Sequence, residues 1–306
     1  MTRRHDIVGI GLAVYDTTLL VDSYPEPNTK VDATAVWHGG GGPVPNALAA
    51  LSRWGVRTAY VGRVGDDIWG RALRDKFVAA GVDVSHLELD PHLPTPTASL
   101  WVDRQTGERT AVLGSSHYSA PRNVPANLIE NAGALHIDGR DAEVCIEASR
   151  RARNSGVAVS MDVGSPRGGV LAVLPLVSHL VVADRFAAFA SRAADPAIML
   201  ERLWLDTYEA LVITHGEEGA HGRSRQGAEV RCGIYEVDVV DTTGAGDVYH
   251  AGYLFGVLNG WFLERRMRFA AAAAALAITA LGARGFLPPL DEVESLVRTA
   301  IPVGGR

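Results

Sequence analysis

The chemistry in this sequence concentrates where two acids flank a run of small residues, in the stretch DTTGAGDVYHAG from Asp241 to Gly252. A β-branched run precedes Asp241, and an amphipathic helix is predicted from about Asp247 to Asn259. Small residues at a helix start leave backbone N–H groups exposed, and together with the helix dipole these form an anion site. Gly244, Ala245 and Gly246 would line it, because glycine lets an anion approach the backbone closely. Asp247 then stands in the first turn, beside the anion. There a carboxylate can take the proton of an attacking hydroxyl while the N–H groups stabilise charge on a transferring phosphoryl group. An Asp-capped helix after a Gly-rich turn accounts for Gly-Ala-Gly alone, but the whole string from Asp241 to Asp247 is more specific than that. It is not a P-loop, since the GxxxxGK[ST] lysine is absent.

A second Gly-rich stretch runs from His38 to Gly55, with four glycines before a helix that carries Asn46 near its start. The glycines permit close approach of a ligand, and the Asn46 amide can bond hydroxyl groups. GIGLAV at 9–14 lacks the third glycine of a dinucleotide fingerprint, and no helix signal follows it. Lys30, Arg109 and Arg140 are the cations to follow: two of them converging on a crevice would favour an anionic group on the ligand. Lys30 and Arg109 read more simply as solvated charges. His38, His136 and His250 read as core or surface histidines, because Asp247 already supplies a base.

These residues need a scaffold, and the apolar pattern describes one. Runs at 6–11, 58–62, 134–138, 157–162, 179–184 and 210–214 are apolar on both parities, as in parallel strands covered on both faces. Helical segments alternate with them and end at Gly55, Gly81 and Gly156, each suited to a left-handed cap. The alternation predicts a doubly wound α/β sheet. Residues 15–37 and 97–113 break the pattern, the second as a β-hairpin turning at Gln105-Thr106-Gly107, and together they predict a small sheet over a crevice. No linker divides residues 1–306.

Composition sets the bounds. The chain has 306 residues, 47% hydrophobic and 21% charged, with a net charge of -6 that gives no basic footprint for nucleic acid or membrane. Cys145 and Cys232 fit neither metal spacing nor a disulfide framework, so a reducing, cytoplasmic setting is expected. The N-terminal basic residues precede a stretch that reads as a first strand rather than a signal peptide. The apolar run from Phe269 to Gly282 is too short and alanine-rich for a bilayer and reads as a core helix.

In this order the motifs resemble the ribokinase-like, or PfkB, carbohydrate kinases over nearly the whole chain. Gly39 to Gly55 is similar to the family's GG…N…A…LG signature, VGRVGDDIWGRAL at 61–73 to its G-x-[VI]-G-x-D-x-x-G segment, ITHGEEGA at 213–220 to its T-x-G-x-x-G nucleotide loop, and DTTGAGDVYHAG to its C-terminal signature. The resemblance implies a Rossmann-like core with a β-sheet lid, and transfer of the ATP γ-phosphoryl group to a sugar hydroxyl. By position it implies Asp247 as catalytic base over an anion hole of Gly244, Ala245 and Gly246. It implies Asp16, Gly41, Gly42 and Asn46 as substrate ligands, and Thr214, Gly216 and Gly219 as nucleotide contacts. Asp241 and Thr243 fall where members often place a monovalent cation such as K⁺, and Mg²⁺ would bridge the ATP phosphates.

Some residues depart from the family pattern. Asp184-Arg185 stands where members often have Asn-Glu, Gly164 where Asn is common, and Tyr249 for Phe, while Pro43 and Pro45 flank Val44 where polar residues could have read the sugar. His136 to Arg140 resembles a segment of ketohexokinase, and Val239 to His250 is similar to sulfofructose kinase, so a furanose-type sugar is expected, fructose-like or ribose-like. Arg109 and Arg140 join the substrate ligands on that reading. A nucleoside acceptor would need an aromatic slot, for which Trp37, Trp101 and Tyr118 are available. A non-catalytic sensor would not need Asp247, and a dehydrogenase would need the missing fingerprint. The free edges of a lid sheet favour a homodimer through the lids.

Overall fold

All six predicted apolar runs fall in one nine-stranded sheet of the computed structural model, which describes residues 5–114 and 118–304. The chain passes through β1 (Ile7–Ile10), β2 (Val14–Val21), β3 (Ala35–Gly41), α1 (Pro43–Arg53), β4 (Thr58–Gly65), α2 (Ile68–Ala79), β5 (Asp83–Asp90), β6 (Thr97–Asp103) and β7 (Arg109–Leu113). It continues through α3 (Ala126–Glu130), β8 (Ala134–Ile137), α4 (Ala142–Asn154), β9 (Ala158–Val163), α5 (Val170–Val173), β10 (His179–Ala183), α6 (Asp184–Ser191), α7 (Pro196–Leu203) and β11 (Ala210–Thr214). It ends with β12 (Ala220–Ser224), β13 (Glu229–Cys232), α8 (Ala245–Leu258), α9 (Leu263–Ala277) and α10 (Leu290–Thr299).

The strand order is β5-β4-β1-β8-β9-β10-β11-β12-β13, parallel from β5 to β11 and antiparallel at β12 and β13. Helices cover both faces. One core joins the sheet to α4 through Ala148 and Ala152, to α6 through Phe186 and to α7 through Leu200. The opposite core joins it to α1 through Leu48 and Leu51, to α2 through Phe77 and to α8 through Leu254. Burial on both faces is why the strands are apolar on both parities. The chain leaves β1 toward β4 and returns at β8 on its other side, so a crevice opens at the carboxyl ends of β1 and β8. Gly55, Gly81 and Gly156 have φ of 81°, 80° and 70°, the left-handed caps predicted for the ends of α1, α2 and α4.

The two pattern-breaking segments form a separate four-stranded sheet, β3-β2-β6-β7, with β2 and β6 parallel and the outer pairs antiparallel. β3 runs to Gly41, so Gly39, Gly40 and Gly41 belong to a strand rather than to a loop before α1. Pairing with Val14, Tyr15 and Asp16 of β2 overrides the weak strand propensity of glycine there. The hairpin between β6 and β7 docks on the main body: Thr242 donates from N and Oγ1 to the Gly107 carbonyl at 3.1 and 3.0 Å. Among the described residues, no helix is long and apolar enough to cross a membrane.

Candidate active site

α8 starts at Ala245, two residues before its predicted start, because Gly244 adopts φ 84° and caps it. Asp247 is therefore the third helical residue, still in the first turn. A side chain at Gly244 would also crowd Ala283 O at 2.9 Å, whereas nothing lies within 4 Å of where a Gly246 Cβ would be. Ala245 N donates to Thr242 O at 3.3 Å, whereas the N–H groups of Gly246 and Asp247 have no backbone partner among the described residues, which leaves open donors at the helix start of the kind an anion hole uses. α8 is not amphipathic: Val248 to Leu254 are all buried, since the helix packs against α1 and α9.

Asn46, in the first turn of α1, donates from Nδ2 to Asp247 Oδ2 at 2.6 Å. Arg284 donates from Nε to Asn46 Oδ1 at 2.6 Å. Asp16, on β2 and only 4% exposed, is the second acid of the crevice, and a side chain at Gly41 would overlap its Oδ2. Burial pushes the Asp16 carboxyl up to about 7, with the Arg284 charge as chief opposition and Asp247 adding to the rise. Burial, then the nearby Asp162 charge, push Asp247 up to about 6 against the Asn46 hydrogen bond, His250 and Arg109. Arg109 stands on exposed β7, yet its charge acts on both acids. Its side chain is exposed, as that of Lys30 is, in keeping with solvated charges.

The remaining predicted residues occupy neighbouring positions. Gly42 caps α1 with φ 104°, where any Cβ would collide with the Leu12 carbonyl. Arg140 follows β8 and donates its N–H to Asp138 Oδ1 at 2.9 Å, while Asp138 Oδ2 accepts from Leu12 N at 2.8 Å. Burial, then the nearby charge of Arg167, lower the pKa of Arg140. Arg167 Nη1 donates to the Asp138 carbonyl at 3.1 Å, so both arginines gather at Asp138 beyond β8, and Arg140 Nε is buried with no hydrogen-bond partner among the described residues. Thr214 ends β11, and Gly216 (φ 58°) and Gly219 (φ 86°) shape the turn into β12, closed by His215 N donating to Gly219 O at 2.8 Å. Asp184 opens α6 next door, and its charge acts on His215. Asp241 is fully buried; it accepts from Thr243 N at 2.8 Å and from Gly282 N at 2.7 Å. Thr243 Oγ1 is buried and unpartnered among the described residues. Trp37 lies across Gly39 and Gly282, so packing accounts for its place.

Sequence reasoning missed Arg284, Asp162 and Arg167. His250 Nε2 lies 3.3 Å from Asp162 Oδ1, and the His250 and His136 rings are 5.4 Å apart beneath the site. Arg284 bears no local signal: its partner Asn46 is 238 residues away. Asp162 and Arg167 lie in a stretch already noted for Gly164, and an acid ending a buried strand was the signal available.

Known proteins bear on this geometry. The model of the pfkB family of carbohydrate kinases matches residues 4–289. An ATP-dependent ribose-1-phosphate kinase of Halopiger xanaduensis is 30% identical, covering 95% of this chain and 97% of its own length. A ribokinase of Bacillus subtilis is 26% identical over 95% of this chain and 99% of its own. The Arabidopsis thaliana ribokinase solved with ribose and ATP has a TM-score of 0.81 at 20% identity, covering 98% of this chain and all of that one, and shows the common fold.

Proposed function

Since the chain belongs to the PfkB family of carbohydrate kinases and is a phosphotransferase of that kind, we propose that it transfers the γ-phosphoryl group of MgATP to a hydroxyl of a furanose-type sugar, with Asp247 as base. The observation that carries this reading is Asp247 in the first turn of α8, held on Oδ2 by Asn46, beside open N–H groups. Oδ1 has no hydrogen-bond partner among the described residues and takes the acceptor proton. As that O–H bond breaks, the acceptor oxygen bonds the γ-phosphorus and the bond to the ADP oxygen breaks. The Gly246 N–H, reached past Gly244, stabilises the charge on the transferring group, while the Ala245 N–H is taken by the Thr242 carbonyl. Asp16, Gly41, Gly42 and Asn46 hold the sugar, and Thr214, Gly216 and Gly219 shape the nucleotide loop. Mg²⁺ arrives with the ATP phosphates and keeps much of its water. Asp241 and the unpartnered Thr243 hydroxyl fit the oxygen shell of a monovalent cation, which would add fixed positive charge beside the anion hole. The four-stranded sheet acts as the lid, and its exposed edge supports pairing of two lids in a homodimer.

The Arg140–Arg167 pair favours a second form of the reading, in which the sugar carries an anionic substituent bonded by these guanidiniums. The ribose-1-phosphate acceptor in the Halopiger kinase's name is of that class.

The test is ADP release from MgATP across ribose, fructose, sulfofructose, 2-keto-3-deoxygluconate, sugar phosphates and nucleosides. Turnover of one acceptor, reduced at least ~100-fold in Asp247→Asn with the fold intact, is the expected result. Near-normal turnover in that variant removes the base assignment. A nucleoside as best acceptor replaces the furanose reading.

A further inference from the structure

The hydrogen-bonded line into Asp247 extends past Asn46. An Asn amide has one acceptor end and one donor end, and its orientation is decided by what stands at each. Here Arg284 Nε donates to Oδ1 and Nδ2 donates to the Asp247 carboxylate, both at 2.6 Å. A turned amide would set its carbonyl against the carboxylate and its NH₂ against the guanidinium, losing both bonds. The guanidinium is itself fixed: it lies 5.1 Å over the Phe77 ring, and a Cβ at residue 40 would come within 2.9 Å of Nη1. Nη1 and Nη2 are buried with no hydrogen-bond partner among the described residues, and the nearby acids are Asp16 and Asp247.

We propose that Arg284 is a positioning residue for phosphoryl transfer. It locks the Asn46 amide so that Asp247 is held by a donor on Oδ2 and keeps Oδ1 for the acceptor proton. The proposal rests on the reading of Asp247 as base. Without Arg284 the amide is free to turn, and the base loses both its orientation and a neighbouring positive charge. The groups facing Asp247 that would remain are Asp162 on β9, His250 on α8, Arg109 on β7 and Asp16 on β2.

A double-mutant cycle on the full-length protein tests this. Arg284→Met is expected to lower kcat ~10–100-fold with a smaller change in KM. In an Asn46→Ala background the same change should cost under ~3-fold, since the route through Asn46 is already gone. Arg284→Lys, which keeps the charge and one donor, should recover part of the loss, and it carries the cycle if Arg284→Met does not fold. The acid limb of kcat should move to higher pH in Arg284→Met and less so in Arg284→Lys, which a purely structural role would not produce. Losses that simply multiply, with an unmoved acid limb, overturn the proposal. Asp247→Asn assayed alongside separates the failures: near-normal turnover there removes the base reading and this proposal together. Turnover abolished there, with multiplying losses at Arg284 and Asn46, removes the positioning role alone.

Discussion

Replacing Asp16 by Asn should make the protein more stable and less active. Asp16 is 4% exposed and its carboxylate makes no hydrogen bond among the described residues, so ionising it in the folded state is unfavourable. Burial lifts the carboxyl from 3.8 to about 7, with Arg284 opposing. A folded-state pKa above the unfolded one means that stability is full below 3.8 and is lost as pH rises through about 7. At ~1.36 kcal/mol per pH unit the rise corresponds to about 4 kcal/mol against the folded state once Asp16 is ionised. Asn has the same shape without the charge, but its amide must find partners beside Gly41, and Arg284 loses an attractive neighbour. The expected gain at about pH 8 is therefore ~1–4 kcal/mol, shrinking toward zero or reversing near pH 4. Urea unfolding of both proteins at the two pH values, with m unchanged, measures it. A variant no more stable than the parent at about pH 8, or a gain independent of pH, would refute the electrostatic account of the crevice. Kinase turnover should fall in the same variant, because the uncharged side chain is a poorer acceptor for a sugar hydroxyl.

Three further outcomes follow from the same geometry. Because Asp247 as base must be ionised to act and sits at about 6 in the free protein, kcat/KM should be flat above neutrality and fall ~10-fold per pH unit well below that value; a profile without this acid limb counts against the base. Gly41→Ala puts a methyl group onto Asp16 Oδ2 and should raise the acceptor KM at least ~10-fold while leaving the KM for ATP nearly unchanged, as steady-state kinetics would show. Val36, Val112 and Leu113 are 54%, 53% and 55% exposed on the four-stranded sheet, so light scattering at micromolar concentration should give the mass of a dimer, and a monomer removes the lid-to-lid arrangement.

Much of the scaffold was legible because burial on both faces leaves a plain mark. The strands from β1 to β11 that lie inside the large sheet read as short apolar runs, and glycines at the ends of α1, α2 and α4 marked where each helix stops. The two edge strands and their antiparallel neighbour were not legible. β5 (DVSHLELD), β12 (AHGRS) and β13 (EVRC) carry polar residues through their length, and only pairing with a neighbour makes them strands. The site divides in the same way. Asp247, Gly244 and Asn46 announce themselves by a local string, since the chemistry is built on consecutive residues at a helix start. Arg284 reads only as the residue after an alanine-rich helix, and its meaning depends on that loop folding back onto α1.

Burial holds both acids of the crevice above the ordinary carboxylate range. Asp16 and Asp247 are lifted to about 7 and about 6, and the cation between them, Arg284, is pulled down to about 10 by burial. Each shift is a cost of desolvation that the three groups offset only in part. A polyol entering this space brings hydroxyl donors, and a donor to a carboxylate favours the ionised form. A sugar bound as proposed would therefore favour ionisation of Asp16 through its bonds. If Asp247 is the base, the hydroxyl to be phosphorylated is the one that reaches Oδ1, because Oδ2 is already occupied by Asn46. On the same proposal, selectivity for a position on the sugar would follow from the amide orientation that Arg284 enforces, a long-range contact acting on the two oxygens of one carboxylate.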